Sequence, residues 1–265
     1  MGALGEKRLF LLDMDGTIYL DNDLFPGTRP FLRWVRERGE TYLFLTNNSS
    51  RGADSYVEKL RRLGIESVPG DFLTSVDALI LFLRKGAYQG KPLYVAGTES
   101  FRRQLRSAGF SVTSDREEAE VLICGFDTEL TFQKLEDACI LLNRGAEFLA
   151  TNPDWVCPTW YGYVPDCGSV CEMLYRATGR RPRVIGKPQR AMVDLALART
   201  GCKPEQALVV GDRLYTDIAC GVNAGVDTAF VLSGEGTLAD LERSDRKPTW
   251  VFDDIAALHR ALAEA

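Results

Sequence analysis

Short apolar runs alternate along the chain with segments in which apolar residues recur every three to four positions. The runs, for example residues 8–12, 41–45 and 207–210, are typical of buried strands, and the segments between them are typical of amphipathic helices. Strands that alternate with helices predict parallel βα units. Because such helices cover both faces of a parallel sheet, we expect a sheet buried on both sides.

The middle of the chain repeats the same alternation and contains enough elements for a core of its own. Its predicted elements are strands at 93–96, 121–124 and 147–150 and helices over 99–107 and 132–143. The pattern of the flanking segments resumes with a strand at 183–185. We therefore predict one unit built from residues 1–79 and 184–265, with residues 80–183 inserted as a second unit.

Composition narrows the class of protein. The chain has 265 residues, of which 45% are hydrophobic, so that it can bury a sizeable core. Its net charge of -5 gives no reason to expect nucleic acid as a partner. No apolar run reaches the roughly 18 residues that a membrane span needs, and the first residues lack the pattern of a secretory signal. We expect a cytoplasmic protein that does not associate with membranes.

Cysteine and histidine usage excludes several kinds of site. The seven cysteines include no C-x-x-C pair, so we expect reduced thiols rather than a disulfide framework or a zinc site. The single histidine, His259, falls in a segment of helical period, where a surface or packing role is expected. Serine-hydrolase and zinc-hydrolase chemistry would both have to depend on this one residue, which argues against them.

Polar residues follow four of the predicted strands directly. They are Asp13 and Asp15, Thr46 and Asn47, Lys187, and Asp212 with Asp217. Each group alone is compatible with an ordinary turn or helix cap. Ligands of open α/β sheets, however, bind beyond the carboxyl ends of the strands, where all four groups are expected to meet. Together they predict one functional site.

Phosphoryl transfer is the chemistry that suits these residue types. The transferred group carries negative charge on its oxygens, which Lys187 and the Thr46 hydroxyl could stabilise. Several aspartates brought together repel one another unless a hard cation such as Mg²⁺ lies among them, and Asp13 and Asp212 are the expected side-chain ligands. A carboxylate can also attack phosphorus, while Asp15 could donate and accept the proton.

Four segments of the chain resemble the four motifs of the haloacid dehalogenase (HAD) superfamily. They are Asp13-Met14-Asp15-Gly16-Thr17, Thr46-Asn47-Asn48-Ser49, Lys187-Pro188 and Gly211-Asp212-Arg213-Leu214-Tyr215-Thr216-Asp217. More narrowly, the chain resembles the NagD-like, or 4-nitrophenylphosphatase, branch. Thr151-Asn152-Pro153-Asp154 and Val164-Pro165-Asp166-Cys167-Gly168 are similar to the segments that join cap and core in that branch.

The resemblance implies a Rossmann-like, doubly wound parallel-sheet core, residues 1–79 and 184–265, with residues 80–183 as a mobile α/β cap that closes over the substrate. It implies a phosphatase of small phosphomonoesters and a homodimer formed through the cap. The roles that it implies are a nucleophile (Asp13), an acid and base (Asp15), phosphate ligands (Thr46, Asn47 and Lys187), Mg²⁺ ligands (Asp13, Asp212 and the Asp15 carbonyl) and an outer residue that orients the metal's waters or pairs with Lys187 (Asp217).

Alternatives within and outside the superfamily follow from the same motifs. A dehalogenase lacks the second aspartate of the first motif, and a pumping ATPase needs membrane helices that the sequence does not contain. A phosphomutase uses the same motif, and a receiver module or a non-catalytic phospho-ligand binder also combines such residues. The substrate stays open among sugar phosphates, nucleotides, phosphoglycolate and pyridoxal phosphate. The aromatics Trp155, Trp160 and Tyr161 belong either to the core of the cap or to the substrate pocket.

Overall fold

The computed structural model describes residues 3–265 and contains two parallel sheets. The flanking segments supply the six strands of the larger sheet, and the middle segment supplies most of the smaller one. Two short antiparallel hairpins complete the strands of the described residues. No helix in this range is both long and apolar enough to cross a bilayer. The arrangement confirms the predicted α/β class.

The predicted strands and helices are present, together with several short strands that the alternating pattern does not predict. The first segment comprises β1 (Leu9–Leu12), β2 (Tyr19–Leu20), β3 (Asp23–Leu24), α1 (Thr28–Glu37), β4 (Thr41–Thr46), α2 (Ala53–Arg62), β5 (Phe72–Thr74) and α3 (Ser75–Lys85). The middle segment comprises β6 (Leu93–Ala96), α4 (Glu99–Ser107), β7 (Val112–Thr113), β8 (Val121–Cys124), α5 (Phe132–Asn143), β9 (Glu147–Ala150), β10 (Val156–Thr159), β11 (Gly162–Pro165), α6 (Cys167–Thr178) and β12 (Arg183–Val184). The last segment comprises α7 (Ala191–Thr200), β13 (Ala207–Gly211), α8 (Ala219–Ala224), β14 (Asp227–Val231), α9 (Leu238–Arg243), β15 (Trp250–Phe252) and α10 (Ile255–Glu264).

Strand β1 lies inside the larger sheet, whose order is β15-β14-β13-β1-β4-β5. Successive side chains of a strand point to opposite faces. Leu9 and Leu11 accordingly pack into one apolar cluster, with residues of α3 and α7, whereas Phe10 and Leu12 pack into another, with residues of α1, α2 and α10. All four residues are buried. The sheet is therefore buried on both faces, as the sequence predicts.

The register of the central strands brings their carboxyl ends to one level. Leu12, the last residue of β1, is opposite Phe44 of β4 and Val210 of β13. All three strands are parallel, so the residues that follow them emerge at the same edge of the sheet. This edge carries the predicted site.

The smaller sheet has the order β12-β9-β8-β6-β7, and it includes one strand that the sequence assigned elsewhere. Residues 183–185 were expected to continue the flanking unit, but Arg183 pairs with Leu149 and Val184 with Ala150, both in β9. The predicted boundary after residue 183 therefore falls inside β12. A strand of two paired residues is too short for its apolar pattern to specify which sheet it joins.

Helix α3 connects the two sheets and contains the other predicted boundary, after residue 79. It begins with a capping box, in which the Thr74 hydroxyl accepts the Asp77 N–H at 3.2 Å and the Asp77 carboxylate accepts the Thr74 N–H at 2.8 Å. The helix then packs against α7 of the last segment and α4 of the middle segment. The exact division between core and cap stays a prediction.

Candidate active site

The site forms where β1, β4 and β13 end. Asp13 follows β1, Thr46 is the last residue of β4, and Asp212 follows β13. The Asp13 N–H donates a hydrogen bond to the Val210 carbonyl at 2.8 Å, which holds the start of the loop against β13. Three of the four predicted polar groups thus share one edge because the strands that precede them are in register.

Lys187 brings the fourth group to this edge. Its ammonium group donates to Asp13 Oδ1 at 2.5 Å, to Asp217 Oδ1 at 2.6 Å and to the Leu45 carbonyl at 3.2 Å. The side chain is only 3% exposed. Burial by itself lowers the pKa of the amine, but the charges of Asp13 and Asp217 outweigh it and raise the pKa above its ordinary value. Lys187 is therefore a fixed positive charge.

Three carboxylates converge beside this lysine. One oxygen from each of Asp13, Asp212 and Asp217 lies within 4.8 Å of the others. Burial, and then the charge of Asp217, raise the pKa of Asp212 to about 7. The same two causes raise the pKa of Asp13 well above its usual range, although Lys187 opposes them. Such a cluster favours a bound cation, because a cation offsets both the burial and the repulsion.

Asp212 has an oxygen that is suited to a metal. Its Oδ2 accepts the Glu235 N–H at 2.7 Å, whereas its Oδ1 is buried and has no hydrogen-bond partner among the described residues. A Cβ placed on Gly16 or on Gly234 would collide with this carboxylate. The two glycines therefore form a close-fitting cradle around Asp212. A hard divalent cation with oxygen ligands fits this donor set.

Asp15 lies outside the carboxylate cluster. Its side chain is 28% exposed, and its Oδ1 lies 3.6 Å from the Lys59 ammonium group. Burial raises the pKa of Asp15, and the charge of Lys59 opposes that rise. The carboxyl group is thus partly exposed beside the cluster, which is compatible with the role expected for it.

Thr46 and Asn47 occupy different surroundings. The Thr46 hydroxyl accepts the Asn48 N–H at 3.2 Å and lines the cavity beside Asp13. The Asn47 amide is directed into the protein. Its Nδ2 donates to Asp154 at 2.8 Å and to the Lys187 carbonyl at 3.1 Å, and its Oδ1 accepts the Lys187 N–H at 2.9 Å. The side chain of Asn47 therefore holds the main chain of Lys187.

The structure adds Lys59, Asp154, Asp166 and Arg213, to which the sequence assigned no role. Arg213 pairs with Asp154 at 3.0 Å, and Asp166 lines the same cavity as Asp13. Burial, and then the charge of Asp154, raise the pKa of Asp166 to about 7. Asp154, Asp166 and Arg213 lie within the segments that resemble the family's motifs. Their position in these segments was the one signal by which the sequence could have pointed to them. Lys59 lies on α2, and nothing in the sequence marked it.

Two neighbouring cavities adjoin the site. The smaller, of about 40 Å³, is bordered by Asp13, Thr46 and Lys187. The larger, of about 570 Å³, extends between α2 and the β10–β11 hairpin. The residues that border both are Asp15, Asn48, Cys157 and Pro158. Asp15 thus lies where a group bound in one cavity would join a group bound in the other.

The aromatics that the sequence left undecided lie on or next to the β10–β11 hairpin and are exposed. Trp155, Trp160 and Tyr161 are 51%, 82% and 63% exposed, so they do not belong to the core of the middle segment. Trp160 and Tyr161 border the larger cavity. These two are therefore placed where a ligand could touch them.

Comparisons with known proteins agree with this geometry. A family described as haloacid dehalogenase-like hydrolase matches residues 10–111, and one described as HAD-hydrolase-like matches residues 184–258. An acid sugar phosphatase of Staphylococcus aureus is 32% identical over 98% of both chains. The chain belongs to the haloacid dehalogenase-like hydrolases, and within them it is a phosphatase.

Solved structures of similar proteins share the fold over the whole chain. A 4-nitrophenylphosphatase from Thermotoga maritima is 39% identical, with a TM-score of 0.90 and 98% of each chain covered. A glycerol phosphate phosphatase from Mycobacterium tuberculosis, solved in complex with magnesium, is 32% identical with a TM-score of 0.90, and covers 98% of this chain and 79% of that one. NagD from E. coli is 31% identical with a TM-score of 0.84, and 94% of this chain and 97% of that one are covered. The chain therefore belongs to the NagD-like, or 4-nitrophenylphosphatase, branch, and the comparisons favour phosphatase activity over a phosphomutase.

Proposed function

We propose that this protein is a Mg²⁺-dependent phosphomonoester hydrolase that acts on small phosphorylated metabolites through an aspartyl-phosphate intermediate. The observation that carries the proposal is the meeting of Asp13, Lys187 and Asp212 at one sheet edge, with Asp15 beside them at the junction of two cavities. This arrangement combines a nucleophile, fixed positive charge, a candidate metal site and a proton donor.

Mg²⁺ would be held by the side chains of Asp13 and Asp212 and by the main-chain carbonyl of Asp15. The orphaned Oδ1 of Asp212 and the glycine cradle support this choice. Asp217 lies within the same cluster and pairs with Lys187. It would therefore hold Lys187 in place rather than bind the cation directly. When bound, the cation supplies positive charge that lowers the cost of bringing a phosphate among these carboxylates.

In the first step, an Asp13 oxygen attacks phosphorus as the bond to the leaving oxygen breaks. Lys187, the Thr46 hydroxyl and the main-chain N–H of Asn47 would hold the phosphoryl oxygens, since the Asn47 side chain is engaged elsewhere. Asp15, as a carboxylic acid, gives its proton to the leaving alkoxide. The products of this step are the free alcohol and an acyl phosphate on Asp13.

In the second step, water cleaves the acyl phosphate. Asp15 is now a carboxylate, and it accepts a proton from the water that attacks phosphorus. The bond between phosphorus and the Asp13 oxygen breaks, which releases inorganic phosphate and restores both aspartates. Two easier displacements thus replace one difficult displacement.

We propose sugar or polyol phosphates as the substrate class. The larger cavity has room for such a leaving group and combines aromatic surface, from Trp160 and Tyr161, with polar side chains such as Ser50 and Arg51. The names of the acid sugar phosphatase and of the glycerol phosphate phosphatase support the same class.

A homodimer formed through the cap is a further proposal, and a sizing-column mass near 29.5 kDa would contradict it.

The experiment is a phosphate-release assay over about a hundred phosphomonoesters, ranked by kcat/KM, with and without Mg²⁺. We expect multiple turnovers with added Mg²⁺, loss of activity after chelation with EDTA and recovery when Mg²⁺ is restored. Activity that is insensitive to EDTA would contradict the metal model. A phosphomutase would instead require a bisphosphorylated activator and would release no phosphate, and a receiver or binding module would show no steady turnover.

A further inference from the structure

Asp154 is a buried carboxylate to which the proposed reaction gives no role. It follows β9 at the end of the segment Thr151-Asn152-Pro153-Asp154 and is only 2% exposed. Its Oδ2 accepts hydrogen bonds from Asn47 Nδ2 and Asn152 Nδ2, both at 2.8 Å, and its Oδ1 accepts Arg213 Nη1 at 3.0 Å. One side chain therefore joins the loops that follow β4, β9 and β13.

The first connection leads from Asp154 to Lys187. A carboxylate can only accept hydrogen bonds, so Asn47 must present its NH₂ group to Asp154. In that orientation the other end of the Asn47 amide accepts the Lys187 N–H at 2.9 Å, and Nδ2 also donates to the Lys187 carbonyl. Asp154 thus determines which way round the Asn47 amide lies, and that orientation holds the main chain of Lys187.

The second connection leads from Asp154 to the loop that carries the candidate metal ligands. Arg213 directly follows Asp212, and its N–H donates to Asp217 Oδ2 at 3.1 Å. Its guanidinium group also lies 2.8 Å from a carboxylate oxygen of Glu235, whose N–H donates to Asp212. The position of the Arg213 side chain is therefore linked to both aspartates of this loop.

We propose that Asp154 is a positioning residue of the reaction, which aligns Lys187 with the loop of Asp212 and Asp217 by bonding to Asn47 and Arg213 together. The proposal rests on the phosphatase function proposed above. Asp154 borders the smaller cavity, but both of its carboxylate oxygens are engaged by Asn47, Asn152 and Arg213, so it acts through its neighbours rather than on the phosphoryl group. Because it lies in the segment that leaves the smaller sheet, it also ties this alignment to the middle segment.

The test is Asp154→Asn. The new side chain keeps one oxygen for the two amides but turns an NH₂ group toward the Arg213 guanidinium, where two donors then face each other. We expect kcat for p-nitrophenyl phosphate to fall at least tenfold, while KM changes less than threefold, because alignment for the reaction is lost rather than access to the site. A wild-type kcat in a folded variant would overturn the proposal.

The matched control is Asp137→Asn. Asp137 is likewise a buried carboxylate, and it accepts hydrogen bonds from the Tyr94 hydroxyl at 2.7 Å and from Arg116 at 2.8 Å, but it lies on α5 and borders neither cavity of the site. We expect it to lower thermal stability and to leave kcat unchanged. If both variants lose kcat in proportion to their loss of stability, the role of Asp154 is structural.

A double-variant comparison separates positioning from general destabilisation. Arg213→Ala should lower kcat, and Asp154→Asn should lower it by no more than a further twofold in that background, since the contact with the guanidinium group is already lost. Independent losses that multiply would contradict action through Arg213. If Asp154→Asn does not fold, Asn47→Ala tests the other connection, with the same tenfold fall in kcat expected and a wild-type kcat contradicting it.

Wild-type turnover tests the proposed function separately. If the wild-type protein releases no phosphate from any ester, the phosphatase proposal fails, and Asp154 is then tested by the binding of orthovanadate, a phosphate mimic, measured by calorimetry with Mg²⁺ present. Weaker orthovanadate binding by Asp154→Asn but not by Asp137→Asn supports the alignment of the site by Asp154. Equal affinity in all three proteins overturns it.

Discussion

Asp13 and Asp15 are two positions apart in the chain but have different surroundings. Asp13 pairs with Lys187 and belongs to the cluster of three carboxylates, which suits a group that both binds a cation and attacks phosphorus. Asp15 lies outside the cluster, next to Lys59 and at the junction of the two cavities. The two aspartates have the same side chain, so it is their different surroundings that support different roles for them.

Replacing Asp13 by Asn should abolish hydrolysis of p-nitrophenyl phosphate, with a loss on the order of 10⁴-fold or more, because an amide is not a nucleophile toward phosphorus. Phosphate release with saturating Mg²⁺ measures the effect. Circular dichroism and a cooperative thermal transition control for folding. Turnover close to that of the wild type would rule out Asp13 as the nucleophile.

Replacing Asp15 by Asn should have an effect that depends on the leaving group. Nitrophenolate departs without a proton, whereas an alkoxide needs one, so alkyl phosphates should lose on the order of 10²-fold more activity than p-nitrophenyl phosphate. The ratio of kcat/KM for the two esters measures this. Equal losses for both esters would argue against Asp15 as the general acid.

The turn that follows β1 has a backbone conformation that helps to position the residues of the site. Gly16 has a φ of +91°, a conformation that other residues rarely adopt, and its carbonyl accepts the Ser233 hydroxyl at 2.7 Å. The turn therefore lies directly against the loop after β14 and against the Asp212 carboxylate. A side chain at this position would push the carboxylate out of the cluster.

We expect Gly16→Ala to raise the Mg²⁺ concentration needed for half-maximal activity by tenfold or more. Gly109→Ala is the matched control, because Gly109 also has a φ of +91° but nothing within 4 Å of an added Cβ. Both variants should lose about 1–2 kcal/mol of stability from the left-handed backbone conformation. Only the first should change the response to Mg²⁺, and an unchanged titration curve would contradict a metal site at Asp212.

At the scale of elements, the sequence predicts where the central strands and helices lie, but it does not predict which distant side chains contact one another. Apolar runs located β1, β4 and β13, and the polar residues after them located the site, because parallel strands in register share an edge. A surface or packing role was expected for His259, and the structure shows packing, because its ring centroid lies 5.4 Å from that of Trp34. Periodicity carries no information about partners distant in sequence, so the bond between Asn47 and Asp154, 107 positions apart, was not foreseen.

At the scale of the whole molecule, the larger cavity is formed by both units. Lys59 and Tyr56 belong to the first segment, whereas Phe126 and the hairpin residue Trp160 belong to the middle segment. The phosphoryl site, by contrast, is formed mainly by residues that follow strands of the larger sheet. We infer that the chemistry resides in the core and that selection of the leaving group is shared with the cap.

Trp160→Ala tests this division. Trp160 lies in the turn of the β10–β11 hairpin at the edge of the larger cavity, and it is 82% exposed. Losing its contact with an aromatic leaving group should cost about 1 kcal/mol, or a roughly fivefold rise in KM for p-nitrophenyl phosphate. An ethyl ester, too small to reach the ring, should keep its KM, and kcat should hold for both because the phosphoryl site is untouched.

Tyr163→Ala is the control for this variant, since Tyr163 is also an exposed aromatic of the hairpin but does not border the cavity. It should leave KM unchanged for both esters. If Trp160→Ala and Tyr163→Ala raise KM equally, the hairpin acts as a whole rather than through the Trp160 ring. If neither changes KM, the leaving group does not enter this cavity and its selection must depend on residues of the core.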